Sequence, residues 1–311
     1  MHANRSKRKL QRFLPVVSAA FAACLAAGCA ASHTTVVNPS GPPAQLQTAT
    51  KPDLVARYNQ RAEAVTSLNA TVTITLTAGS AYTGVIKQYR EVKGFILAQR
   101  PSSIRVIGQA PVVSTNIFDM VSDGKTFSIS IPSQNKFLTG PANLERPSAK
   151  PIENLRPQHL TGAIFMEAVP EKSLVLLEEA SDAVSRYYIL TVLRRADTAD
   201  TDWEIAQKIW FDRADLSVTR RQSYDPGGKL ASDVSYSGWD TFGAIRYPRQ
   251  IALARPGNDY KLQIGIAKAV FNETISADRF VLRQPPGAEL VHVGEEPQQV
   301  KPAEPKTEPE N

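Results

Sequence analysis

The sequence predicts a mainly β, α+β fold: a strongly curved antiparallel sheet forming an unclosed barrel, with helices covering the concave face. Three observations predict it. Apolar and polar residues alternate with period two through most of residues 71–271. Turn signals such as Ser122-Asp123-Gly124, Asp225-Pro226-Gly227-Gly228 and Pro256-Gly257-Asn258-Asp259 join consecutive strands tightly, as an antiparallel meander requires. Helical periodicity is confined to two stretches, 52–68 and 155–169. A closed barrel would use the same strands, because the residues alone do not count pairings.

The chain opens with Arg5, Lys7, Arg8, Lys9 and Arg12 and no acid, followed by the uncharged run 13–27. This is the pattern of a signal peptide over 1–28. About fifteen apolar residues make a helix of roughly 22 Å, short of the ~20 residues that cross a bilayer core. Both cysteines lie here, at 24 and 29. Leu25-Ala26-Ala27-Gly28-Cys29 resembles a bacterial lipobox, with Ala26 where leucine is commonest. The resemblance implies cleavage after Gly28, a diacylglyceryl group on the Cys29 thiol and a third acyl chain on its freed amine. With Ala30 rather than aspartate next, it also implies retention on the periplasmic face of the outer membrane. Two or three acyl chains, at ~0.8 kcal/mol per buried methylene, make a lasting anchor. Cys24 reads as a small apolar residue of the leader, which leaves the mature chain without a disulfide, a free thiol or a cysteine-based metal site.

The net charge of +6 describes the leader more than the mature protein. Of 36 Lys and Arg against 30 Asp and Glu, five basic residues leave with the leader, and 31 against 30 remain. The basic balance therefore gives no reason to expect a nucleic-acid partner.

Residues 29–51 are rich in Ser, Thr, Pro and Gly and read as a flexible tether. Residues 294–311 alternate proline with charge and read as a disordered tail. Between them, 52–293 form the folded domain. Its first helix, 52–68, opens on Pro52 and Asp53 and places Leu54, Tyr58, Ala62, Val65 and Leu68 at three- and four-residue spacing. The period then switches to two, with Val72, Ile74 and Leu76 on one face and Thr71, Thr73, Thr75 and Thr77 on the other. Further strands are read at 84–99, 102–109, 115–124, 125–132, 135–140, 173–180, 185–195, 203–212, 217–225, 229–239, 246–256 and 260–272. The second helix, 155–169, carries Leu160, Ile164, Phe165 and Val169 on one side.

Four stretches in this order resemble the LolA/LolB-like superfamily of outer-membrane lipoprotein carriers and related periplasmic lipoproteins: "YREVKGFILAQRPSSIRVIGQAP", "FDMVSDGKTFSISIPSQNKFLTGP", "KIWFDRADLSVTRRQSYDPGGKLASDVSYSGW", and "RYPRQIAL" running to "FVLRQPPGAELV". With the leading helix the likeness spans about residues 52–293. It implies an unclosed barrel capped by helices, with an apolar hollow for acyl chains. Members of the superfamily include a soluble shuttle, an acylated acceptor, glycolipid-binding lipoproteins and a stress-signalling regulator, and the acylated chain resembles the acceptor more than the shuttle. No stretch here matches an acceptor's protruding apolar loop.

Catalytic chemistry has little to work with. His33, His159 and His292 are scattered, without metal-ligand spacing, and no G-x-S-x-G is present. Glu178-Glu179 and Glu295-Glu296 are neighbours, and adjacent strand residues point to opposite faces. Metal and cofactor are therefore expected to be absent, and the protein is expected not to be an enzyme. The candidate cavity residues are Val72, Ile74, Leu76, Phe127, Ile129, Ile131, Ile164, Phe165, Ile205, Ile209 and Phe211. Each could equally fill a core; the set could leave a hollow that attracts an apolar ligand. Arg105, Arg220 and Arg221 could meet headgroups or face solvent on their strands. The expected function is binding of acyl chains of lipids or lipoproteins, assisting their localisation, with the membrane and a periplasmic carrier protein as partners. The alternative is a non-transporting envelope lipoprotein that binds a protein partner through a sheet edge or acts in regulation. A hydrolase of envelope components is a third reading.

Overall fold

A computed structural model of the chain describes residues 45–80, 84–110, 115–143, 155–196 and 199–293. The leader, Cys24, Cys29, most of the tether and the tail lie outside the described residues. Leu46–Asn311 forms one compact unit, distinct from Met1–Gln45, with a continuous core of its own, which is what a self-sufficient folding unit requires. No described helix is long and apolar enough to cross a membrane.

The unit begins with helix α1 (Lys51–Glu63) and strand β1 (Ser67–Ser80). Next come β2 (Val85–Gln88), β3 (Val92–Gln99), β4 (Ser103–Gln109), β5 (Asn116–Ser122), β6 (Thr126–Ile131) and β7 (Lys136–Pro141). Helix α2 (Pro157–Ile164) precedes β8 (Leu174–Ser181), β9 (Arg186–Ala196), β10 (Ala199–Asp212), β11 (Val218–Tyr224) and β12 (Leu230–Phe242). The series ends with β13 (Ile245–Arg255), β14 (Tyr260–Phe271) and β15 (Glu289–His292).

Among the described residues all fifteen strands form one sheet, not closed into a barrel, in the order β15-β7-β6-β5-β4-β3-β1-β14-β13-β12-β11-β10-β9-β8, with β2 beside the end of β1. Every pairing is antiparallel except β15 with β7, which makes the sheet mixed. Two meanders, β3–β7 and β8–β14, are thus joined by β1, which pairs with β3 through Ser67–Ile74 and with β14 through Leu68–Ala78. The residues at 84–99 split into two strands around Tyr89-Arg90-Glu91, and β15 lies where no strand is expected from the sequence.

Helix α1 starts one residue earlier than expected. Thr50 caps it: its Oγ1 accepts from Asp53 N–H at 3.4 Å while Asp53 accepts from Thr50 N–H at 3.1 Å, the reciprocal arrangement that satisfies exposed helix-end donors. The helix ends at Glu63 because Ser67 already begins β1, whose alternation buries Leu68, Ala70, Val72 and Ile74. Leu46–Thr50, read as the end of the tether, instead runs along the folded unit, with Gln47 N–H donating to Arg213 O at 2.7 Å.

Helix α2 packs against β4 and β5 of one meander and β13 of the other. The short helix thus reaches strands on both sides of β1.

Backbone approach in the sheet yields a paired test. A Cβ built on Gly94 would lie 2.3 Å from Ile107 O, whereas one on Gly162 in α2 meets nothing within 4 Å. Gly94→Ala is expected to destabilise Leu46–Asn311 by about 1–3 kcal/mol, and Gly162→Ala to leave stability equal or raise it by up to ~1 kcal/mol, as read by urea unfolding.

Candidate functional site

The residues that converge on α2 define the site. Their inner faces belong to one core in which Val72, Ile74, Ile164, Phe165, Ile209 and Phe211 are buried together. Leu76 and Ile129 are partly buried against it. Phe127 is buried, with the Arg156 guanidinium 5.4 Å over its ring. Ile131 and Ile205 are only half-buried. Ile205 precedes a register shift against β9 between Ile205 and Gln207, so the alternation that turns Ile209 and Phe211 inward does not reach back to it. Ile131 ends β6, where Pro132 starts a 3-10 turn. With α2 in place Val72, Ile74, Ile164, Phe165, Ile209 and Phe211 act as core. Ile164 also lines a pocket of about 170 Å³ between the ends of α1 and α2 and the β12–β13 turn.

Helix α2 stops five residues short of the expected 169, and the reason is tertiary. A continuing helix would bond the carbonyls of residues 162–164 to the next turn. Here strand side chains take them. Arg221 Nη2 donates to Gly162 O, Tyr236 Oη to Ala163 O at 3.1 Å and Tyr247 Oη to Ile164 O at 2.8 Å. These donors come from β11, β12 and β13 in succession. Phe165 then turns extended, at φ −96° and ψ 114°.

A fourth side chain, Arg100 at the end of β3, joins the two helices. Its Nε donates to Val65 O at 2.9 Å, and its Nη2 to Ala62 O and Met166 O, both at 2.8 Å. The guanidinium also lies 5.0 Å over the Phe165 ring. Asn59 completes the attachment, accepting from Val169 N–H at 2.8 Å and donating to Val169 O at 3.3 Å. Burial pushes the Tyr236 phenol up to about 12, with Arg221 opposing and Tyr58 adding to the rise. Tyr247 is raised well above its ordinary value, first by burial. Both phenols therefore keep the protons they donate. Burial also raises the Tyr58 phenol, and the guanidinium of Arg221 beside it offsets part of the rise.

The arginines expected on solvated strand faces divide. Arg105 grips Asp119 through two nitrogens at 3.0 and 2.7 Å and donates to Arg279 O. Arg220 forms a two-nitrogen pair with Asp233. Arg221 is buried, contrary to a solvated setting, because it follows the outward Arg220 and faces the core of β11.

At the other end of α2, His159 Nδ1 lies 2.6 Å from Tyr260 Oη, with the rings stacked at 6.1 Å. Burial, then Arg255 and Arg156, push His159 down to about 3, so the imidazole is neutral at neutral pH. Glu178 accepts from Thr191 Oγ1 at 2.7 Å, and Glu179 pairs with Arg213 at 2.9 Å; Glu295 and Glu296 lie outside the described residues. Among the described residues no three His, Cys, Asp or Glu cluster to hold a metal.

The pocket beside Ile164 brings together residues that sequence reasoning missed. Arg61 and Arg246 lie 5.4 and 5.9 Å from the centre of the Trp239 ring. Burial first, then Arg246 and Arg57, push Arg61 down to about 10, and it stays charged at neutral pH. Three elements contribute these side chains, and no local spacing announces them. Tyr236 was more legible, since it alternates with Ser235 and Ser237 in phase with the apolar Val234.

No protein-family model matches the chain, and no curated protein matches it. Among solved structures, a LolA superfamily protein of Nitrosomonas europaea is similar at 11% identity and a TM-score of 0.46, over 76% of this chain and 99% of that one. A DUF1329 family protein of Desulfovibrio piger is similar at 15% identity and 0.48, over 74% and 95%. A domain described as an outer membrane lipoprotein-sorting protein, from Vibrio parahaemolyticus, is similar at 11% and 0.44, over 73% and 94%. At these scores the likeness assigns neither ligand nor partner to this chain.

The His159 environment sets a pH dependence. Between its folded value of about 3 and its ordinary 6.5, the unfolded chain binds a proton that the folded chain does not. Stability is therefore expected to fall as pH drops below about 6.5. Allowing for the partial exposure of the ring, the loss at pH 5 relative to pH 7.5 is about 1–2 kcal/mol, and His159→Gln is expected to remove that part of the pH dependence in urea unfolding.

Proposed function

We propose that this chain is an envelope lipoprotein, anchored through acylated Cys29 on the periplasmic face of the outer membrane, that binds an acyl chain of a lipid or lipoprotein beneath α2 and assists its localisation. It performs no chemistry on that ligand. The supporting observation is the seat of α2, whose Leu160, Ala163 and Ile164 belong to the core while its last three carbonyls are held only by side-chain hydrogen bonds.

On this reading α2 is a plug on the concave side of the sheet. When it withdraws, Val72, Ile74, Leu76, Ile209 and Phe211 line a hollow, and an acyl chain replaces Leu160, Ile164 and Phe165, apolar surface for apolar surface. A chain of about sixteen carbons leaving water gains on the order of 10 kcal/mol gross, before ordering costs. Each side-chain hydrogen bond opposing withdrawal is worth about 1 kcal/mol net. These opposing magnitudes permit reversible exchange, as carriage requires.

A second reading, a protein-binding module, is favoured by β8. That strand ends the sheet, and Leu174 and Leu176 on it are exposed, so a partner such as a periplasmic carrier could add a strand there.

The first reading is tested by titrating dansylundecanoic acid into Leu46–Asn311 and into its Tyr236→Phe/Tyr247→Phe variant. Losing two hydrogen bonds lowers the free energy of withdrawal by about 2 kcal/mol, so the variant is expected to bind roughly 30-fold more tightly. Absence of binding by both proteins would contradict the carrier reading. The edge reading expects Leu176→Lys to weaken capture of a protein partner while leaving the fold intact by circular dichroism.

A further inference from the structure

We infer a second ligand site, for an anionic amphiphile, in the pocket formed by α1, the end of α2 and the β12–β13 turn. The pocket is open with α2 seated, so this inference does not rest on withdrawal of the helix. Its floor includes Val65, Ile164 and Met166, and its rim carries Arg61, Trp239 and Arg246. The floor suits a short length of hydrocarbon, and the rim suits an oxyanion.

The charges at the rim are unbalanced in a specific way. Asp215 is the carboxylate beside both arginines. Its Oδ1 accepts from Ser217 N–H at 2.9 Å, and its Oδ2 accepts from Ser217 Oγ and Arg246 Nη2, both at 2.6 Å. Arg61 makes a single hydrogen bond among the described residues, from Nη1 to Leu216 O at 2.9 Å. Its remaining N–H groups stay available, and its charge lies near that of Arg246, the two guanidiniums being 5.4 and 5.9 Å from the Trp239 ring centre. Arg57, exposed one turn earlier, adds to the same positive potential.

The carboxyl end of α1 does not cancel this preference. Arg100 takes the carbonyls of Ala62 and Val65, and Asn272 Nδ2 takes that of Ala64 at 2.8 Å. A phosphate or carboxylate between Arg61 and Arg246 would relieve their repulsion and accept from planar donor groups suited to such oxygens. Its alkyl stem would extend over Val65, Ile164 and Met166. The ligand class is therefore an alkyl phosphate or carboxylate, such as a lipid headgroup end, in preference to free phosphate or a neutral amphiphile.

Isothermal titration calorimetry of Leu46–Asn311 with octyl phosphate, inorganic phosphate and octyl glucoside below its micellar concentration tests this. Octyl phosphate is expected to bind at least tenfold more tightly than either of the others. Arg61→Gln and Arg246→Gln are each expected to weaken it about tenfold, with Arg246→Gln, at the more exposed position, the safeguard should Arg61→Gln fail to fold. Tyr260→Phe, which loosens the opposite end of α2 at His159, is expected to leave octyl phosphate binding unchanged even where it alters uptake of a long-chain fatty acid. Equal binding of inorganic phosphate or octyl glucoside, or undiminished binding by Arg246→Gln, would overturn the assignment.

Discussion

The arrangement of this protein depends on how the short helix α2 ends. Its three terminal carbonyls are held by Arg221, Tyr236 and Tyr247, which rise from three consecutive strands. Buried carbonyls without partners would be costly, so the helix can enter the core only because the sheet supplies donors there. The same donors stop the helix and fix its position along the strands. Arg100 extends the arrangement by bonding carbonyls at the ends of both helices.

The sheet makes this convergence possible. Strand β1 pairs on both sides, joining a meander that follows it to one that reaches it only through β14. Strands β4 and β5 of one meander and β13 of the other touch α2. Ladder pairings hold the sheet, whereas side-chain contacts and apolar packing hold the helix. On physical grounds the helix is the element that can move while the sheet persists, since local opening favours parts with few ladder bonds.

Much of this was legible in the sequence because it is local. Leu54, Tyr58 and Ala62 declare the buried face of α1, and Val72 and Ile74 declare the inner face of β1. Tight turns reveal antiparallel neighbours. Non-local features were not legible: the pairing of β1 with β14 joins residues about two hundred positions apart, and β15 is a four-residue strand whose partner is β7. The end of α2 depends on donors from distant strands, so periodicity alone ran the helix on to Val169. At Ile205 a register shift broke the alternation. The candidate residues were legible as inward-facing apolar groups, but whether they fill or line a space depends on where α2 sits, which no residue pattern states. The Arg61, Trp239 and Arg246 group arises only when α1, β12 and β13 meet.

Backbone hydrogen exchange of residues 157–169, with and without saturating long-chain fatty acid, tests the displaceable-helix account most directly. The account predicts that these amides lose protection on binding while those of β1 and β10 retain it. Fatty acid bound with 157–169 as protected as before would contradict it.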